Sequence, residues 1–388
     1  MENTVRAMMG LIANEVCGSA IDKKEYSFSQ EELVKLYKLS KTHDLAHLVG
    51  DALIKNDLLS DAEIRAKFEK QIMVAVLRYE KINYELERLR ETLNEAKIPF
   101  IPLKGSVIRQ YYPEPWMRTS CDIDILVHEK DISAALNMLM KQLNGGDIIR
   151  SHHDISFMTS GGVHIELHHS LIEKNRIGTA EKILDDIWNW TKQVGETAEY
   201  ILRDEMFYYY HMAHMAKHIE GGGCGVRPFL DLWLLNQMNH DELKRVELLK
   251  FGGLDTFARV ANQLSQYWFC GGKSDKLMLD LEKYIICAGV YGSSENSVAV
   301  RQTHKKSKFK YILRRIWMPY QDLKLQYPGV EKYRFLQPIY EFRRWCKLLK
   351  PSMFKRKSKE LKIITGTSAE KVNDTNQLFV SLGLIDHK

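Results

Sequence analysis

The stretch Asp122-Ile123-Asp124-Ile125-Leu126-Val127 alternates polar and apolar positions as a half-buried β-strand does. On such a strand residues i and i+2 share a face. Asp122 and Asp124 therefore project together, while Ile123, Ile125 and Val127 turn toward a core. Two neighbouring carboxylates repel unless a cation sits between them. Hard oxygen donors suit Mg²⁺, which takes one or two carboxylates and completes its shell with water and phosphate oxygens.

Working outward, Val163-His-Ile-Glu-Leu-His168 shows the same alternation. Val163, Ile165 and Leu167 share one face, and His164, Glu166 and His168 the other. A strand lying beside the first aims Glu166 at the space of the two aspartates. Three carboxylates from two strands suffice to hold two ions about 3.5–4 Å apart, the arrangement of two-metal phosphoryl transfer. Upstream, Lys104-Gly105-Ser106 lies between an apolar strand, Ile98–Leu103, and a short helical stretch. Glycine lets backbone approach a phosphate closely, and amides at a helix start favour anions. Lys104, Ser106 and Arg118, whose guanidinium suits bidentate contact, are the side chains expected to add phosphate contacts. Each piece alone has an ordinary reading, a structural acid pair or a plain turn; the order of the pieces carries the reading.

That order, Leu103-Lys-Gly-Ser106, Tyr112-Pro113, Arg118 and Asp122-Ile-Asp-Ile-Leu-Val127, resembles the polymerase-beta nucleotidyltransferase superfamily, and within it the uncharacterised bacterial nucleotidyltransferase family. The likeness extends more loosely to His214, Lys217, His218, the glycine run 221–225, Arg227, Asp231 and the Arg343-Arg344 region. The resemblance implies a mixed sheet flanked by helices, use of an NTP (ATP) with Mg²⁺ or Mn²⁺, and transfer of a nucleoside monophosphate to a hydroxyl acceptor. Two departures stand out: a long gap between Ser106 and Asp122, and Glu166 where Asp is usual.

The flanks read as helical. Ile72, Ala75, Tyr79, Ile82, Leu86, Leu89 and Leu93 step by three and four along one helix face. Strands are expected near 147–150, 154–159 and 163–168, and helices from Glu181 onward. The expected organisation is a helical region 1–96, a nucleotidyltransferase core 97–175, a helical region 176–360 and a tail 361–388. The fold class is α+β, a small mixed or antiparallel sheet embedded in larger N- and C-terminal helical regions.

Looser candidates lie in the second helical region. His211, His214 and His218 fall on one helix face, a pattern open to packing, site lining or zinc. Lys217 falls beside them. Arg227 and Asp231 have the spacing of an i,i+4 ion pair. Tyr208, Tyr209 and Tyr210 read as packing, with base stacking as the alternative. His164 and His168 are general-base candidates beside Glu166.

With 45% apolar and 27% charged residues the chain has an ordinary globular composition. No apolar run approaches the roughly 18 residues of a membrane span. Met1-Glu-Asn-Thr4 lacks a basic then apolar leader, and six scattered cysteines without a CxxC pair suit reduced thiols; the expected location is cytoplasmic. The net charge of +6 is uneven: residues 301–360 hold 18 Lys+Arg and 4 Asp+Glu, or +14, leaving −8 elsewhere. Such a block suits an anionic partner or a solvated surface. The acceptor is a small molecule or a macromolecule such as RNA or protein, and the basic block slightly favours the macromolecule. A catalytically silent nucleotide-binding or assembly module is the reading from another class.

Overall fold

The computed structural model describes residues 2–171, 180–290, 292–303, 317–320, 323, 327, 329–348 and 368–385. Most of the basic block 301–360 lies outside them. Four helices come first: α1 (Glu2–Cys17), α2 (Gln30–Thr42), α3 (Ala46–Lys55) and α4 (Ala62–Glu95). A capping box starts α2, with Ser29 Oγ accepting from the Glu32 amide and the Glu32 carboxylate accepting from the Ser29 amide. Asp61 caps α4 by accepting from the Ile64 amide at 2.8 Å.

The sheet follows: β1 (Phe100–Pro102), the single turn α5 (Gly105–Ile108), β2 (Asp122–Val127), α6 (Ile132–Gln142), β3 (Ile149–Arg150), β4 (Asp154–Met158) and β5 (His164–His168). Its strand order is β1-β2-β5-β4-β3. The β2–β5 pair is parallel and the other pairs are antiparallel, so the sheet is mixed. One face is apolar. Ile123, Ile125, Ile165, Leu167, Ile155 and Phe157 bury against Ile82, Leu86, Leu89 and Leu93 of α4 and Ala135, Leu136 and Leu139 of α6. Each such side chain contributes about 1.5–3 kcal/mol on burial. A one-residue slip of β2 would drive both aspartates into that core, so the packing fixes which face the acids take.

Beyond β5 come α7 (Ala180–Asp185), the hairpin β6 (Thr191–Gln193) and β7 (Tyr200–Leu202), then α8 (Asp204–Glu220), α9 (Arg227–Gln237), α10 (Glu242–Phe251), α11 (Asp255–Cys270), α12 (Lys276–Ala288) and α13 (Ser294–Thr303). The hairpin departs from the all-helical expectation after Glu181. Its strands are three residues each, too short for a period of two to stand out, and Gly195 (φ 56°) serves its turn. It covers the β1 edge, where the Phe100 amide donates to Ala198 O at 3.1 Å. A further helix, Ala369–Ser381, lies in the expected tail; it buries Leu378 and Phe379, and the Phe379 ring meets Tyr284 edge-on at 5.6 Å.

The first helices also set an acid limit on stability. His43 Nε2 donates to Ile286 O (3.2 Å) and His47 Nε2 to Met117 O (2.8 Å), both in the core. Burial pushes each imidazole down to about 4. Both are neutral in the fold but titrate near 6.5 when unfolded. Their stabilising contribution is therefore full above pH 6.5 and is lost as the pH falls toward 4, on the order of 3 kcal/mol for each. Urea midpoints at pH 7 and pH 4.5 should differ, and by less in His47→Gln; an equal drop in both proteins would assign the acid sensitivity elsewhere.

Candidate active site

The polar face of the sheet carries the acids. In the parallel register Asp124 stands opposite Glu166 and Asp122 opposite His164. A carboxylate oxygen of Asp124, one of Glu166 and a ring nitrogen of His168 lie within 4.8 Å of one another. Asp122 points to the same side two residues earlier. Lys104 ends the β1 segment, since the Leu103 amide still donates to Asp124 O at 3.0 Å. Lys104 itself has φ 48°, a region that side chains with a Cβ rarely occupy. This turn aims its ammonium at Asp124 Oδ1, 2.7 Å away, and His168 Nε2 donates to the same oxygen at 2.9 Å.

The two aspartates consequently differ. Burial opposes the charge on Asp124, but Lys104 and then His168 overcome it and hold its carboxyl well below the usual range. Asp122 is raised, by burial first and by the Asp124 charge second, with Lys104 only partly compensating. Burial likewise disfavours a charged His168, yet Asp124 and Glu166 outweigh it and raise the imidazole. Asp124 Oδ1 alone already accepts from the Lys104 ammonium and the His168 N–H, with the Glu166 carboxylate beside it. The charge and donor chemistry of the two carboxylates and the imidazole fit a divalent cation.

A cavity of about 510 Å³ opens over this face. Lys104, Gly105, Arg118, Asp122, Asp124, Glu166, His168, His214, Lys217 and His218 all line it, together with Tyr210 and Arg227. Ser106 is not part of the lining; its buried hydroxyl has no hydrogen-bond partner among the described residues. A Cβ on Gly105 would meet the Ser120 Cβ at 3.3 Å and an Arg118 nitrogen at 3.5 Å, so the glycine serves a close approach of two chain segments. The histidine stripe of α8 divides. His211 Nε2 donates to Pro228 O, whereas His214 and His218 face each other with ring nitrogens 3.0 Å apart. Burial first, then Lys104, keeps His214 well below the ordinary imidazole range.

Arg118 lines the cavity with its guanidinium engaged. It grips Asp231 with two bonds, Nε to Oδ1 at 2.9 Å and Nη2 to Oδ2 at 2.8 Å, and Nη1 donates to Thr119 O. The Tyr112 hydroxyl also donates to Asp231 Oδ1, at 2.7 Å. Arg227 is not the i,i+4 partner expected for Asp231. Its Nη2 donates to Asp44 Oδ2 at 2.5 Å, an oxygen that also accepts from Thr119 and Arg78. Asp44 lines the cavity and was missed in the sequence, because nothing local marks a turn residue after α2 as part of a site some 75 residues away in the chain. His153 and Asp154 at the β4 edge were missed as well; the polar run His152-His153-Asp154 was their signal.

Carboxylates from adjacent strands, facing a lysine and histidines across one cleft, make a site suited to phosphate chemistry. The family described as uncharacterised nucleotidyltransferase matches residues 29–269. That span covers more than half of the chain, from α2 almost to the end of α11, and the chain belongs to this family. It is a nucleotidyltransferase, an enzyme of the class that uses an NTP, usually with a divalent metal. No curated protein and no solved structure matched the chain. No described helix is long and apolar enough to cross a membrane.

Proposed function

We propose that this enzyme works in the manner of the polymerase-beta superfamily, moving a nucleoside monophosphate from an NTP, with ATP the first to test, to a hydroxyl acceptor. Asp122, Asp124 and Glu166 would hold two Mg²⁺ ions, with Mn²⁺ able to substitute. The observation that supports this most is the cross-strand pairing of Asp124 with Glu166 on the cleft face, with Asp122 beside them. Divalent ions, when bound, supply Lewis-acid activation of the acceptor oxygen and offset triphosphate charge.

The chain's own residues do the rest. Lys104, Lys217, His214 and His218 place positive or N–H-bearing groups around the cleft to receive the triphosphate. The cavity volume falls within the roughly 300–1,000 Å³ of small-molecule sites, enough for a nucleotide. Gly105 lets the Lys104 turn lie close to Ser120 and Arg118. The fixed positions of Asp124, Lys104 and His168 keep the acids oriented before substrate arrives, which is where such a site derives its rate.

The test is calorimetric NTP binding with and without Mg²⁺, followed by transfer of α-labelled NMP and pyrophosphate release across an acceptor panel. Nucleotide binding that needs Mg²⁺ and is lost with EDTA is expected. An intact protein that binds none of the four NTPs in Mg²⁺ would overturn the proposal. In Gly105→Val the added methyls displace Ser120 or Arg118, and NTP affinity should fall about tenfold, roughly 1.4 kcal/mol. Unchanged affinity would remove this turn from the nucleotide site.

A further inference from the structure

At the β4 edge of the same sheet, a second group of side chains differs in chemistry from the three acids. Asp154 stands directly across the antiparallel β4–β5 pair from His168. His153 Nε2 lies 3.4 Å from Asp154 Oδ2. The His153 and His168 rings lie nearly parallel, 22° apart in plane, with centroids at 6.0 Å. One ligating atom from each of His153, Asp154 and His168 falls within 4.8 Å of the other two. The side chains are mostly buried, with 20%, 16% and 6% of their surfaces exposed.

One observation points to a ligand here. His168 Nε2 serves Asp124, while its Nδ1 is buried with no hydrogen-bond partner among the described residues. A buried ring nitrogen normally finds a partner. In addition, the backbone that presents His153 and Asp154 is held in place. Ser151 Oγ accepts from both of their amides, the Ser151 amide donates to Asp154 O, and the His169 amide ties His153 O back to β5.

We infer that His153, Asp154 and His168 form a binding site for a late first-row transition-metal cation of the Zn²⁺ or Co²⁺ kind. Two imidazoles and one carboxylate suit such ions, whereas Mg²⁺ prefers an all-oxygen shell. Three protein ligands leave a coordination position for water or a substrate atom. Ligand atoms in a tetrahedral zinc site lie about 3.3 Å apart, given metal–nitrogen bonds of roughly 2.0–2.1 Å. His153 Nε2 and Asp154 Oδ2, 3.4 Å apart, already stand at this spacing, and the His168 nitrogen lies within 4.8 Å of the ligating atom of each. The site shares His168 with the acids of the cleft but does not rest on the nucleotidyl-transfer reading.

The probe is Co²⁺, titrated into the full chain in a large excess of Mg²⁺ and followed by its visible d–d absorption. One equivalent should bind with the intense band of a low-coordinate site, and added Zn²⁺ should abolish that band. His153→Ala and Asp154→Asn should each weaken Co²⁺ binding at least tenfold with an unchanged far-UV spectrum. Asp122→Asn should retain the band. Absence of the band in Mg²⁺ excess would overturn the inference. So would Co²⁺ affinity that survives both the His153 and Asp154 substitutions, or a band lost in Asp122→Asn alone.

Discussion

Asp122→Asn and Asp124→Asn are both expected to abolish nucleotidyl transfer, yet to move stability in different directions. If both hold metal, each loss removes several kcal/mol of charge stabilisation, or about 10³-fold in rate. Without metal their surroundings differ. Burial and the neighbouring Asp124 charge raise Asp122, so the fold gains nothing from its ionisation, and an amide there should leave stability unchanged or slightly higher. Asp124 accepts from Lys104 and His168 on one oxygen. Asp124→Asn leaves the Lys104 ammonium, 22% exposed, without its counter-charge. Breaking a buried pair from one side costs roughly 3–5 kcal/mol, and residual solvent access at Lys104 puts this case toward the low end. Urea unfolding without metal, run beside transfer assays, checks both. Equal stability of the two variants would mean that Lys104 finds another partner, and residual activity in either would remove it from the metal set.

The strands of the site were legible in the sequence because one face of each must be apolar. Asp122–Val127 and Val163–His168 show it with a period of two, and the buried Ile123, Ile125, Ile165 and Leu167 are its physical cause. Register was not legible. That β2 and β5 run parallel with Asp124 opposite Glu166 depends on the path through α6, β3 and β4, and no single strand encodes it. Pairings across long separations were equally hidden. The spacing of Arg227 and Asp231 suggests a mutual ion pair, but in the folded chain Arg227 bonds to Asp44 and Asp231 to Arg118. Lys104 reads as a phosphate ligand from composition, while its contact with Asp124 depends on a backbone φ that sequence pattern does not announce for a lysine. The helix Ala369–Ser381 escaped because Leu378, Phe379 and Leu382 are few among polar residues; their burial shows only against α12 and α13.

Asp231→Ala is expected to cost about 3–5 kcal/mol, the largest stability loss of any single substitution considered for this chain. Asp231 is fully buried and accepts from two groups, the Arg118 guanidinium and the Tyr112 hydroxyl. Burial opposes its charge, but Arg118 outweighs burial and lowers its carboxyl. The sign follows: this contribution is present above the unfolded carboxyl value near 3.9 and is lost as the pH falls below it toward the lower folded value. Truncation leaves the buried guanidinium without its counter-charge and the Tyr112 hydroxyl without its acceptor, which costs more than the pair itself contributes. Arg118→Met with Asp231→Leu removes both charges together and should recover much of the loss. The same double variant decides what Arg118 does. If its guanidinium serves only to hold α9 against the Tyr112–Arg118 segment, NTP affinity in the double variant should stay within about twofold, under roughly 0.5 kcal/mol. If Arg118 leaves Asp231 to meet a phosphate when nucleotide binds, affinity should fall at least tenfold although the fold is intact. The closed, two-bond geometry with Asp231 favours the first outcome, and calorimetric NTP titration of the double variant beside the wild type reads it directly.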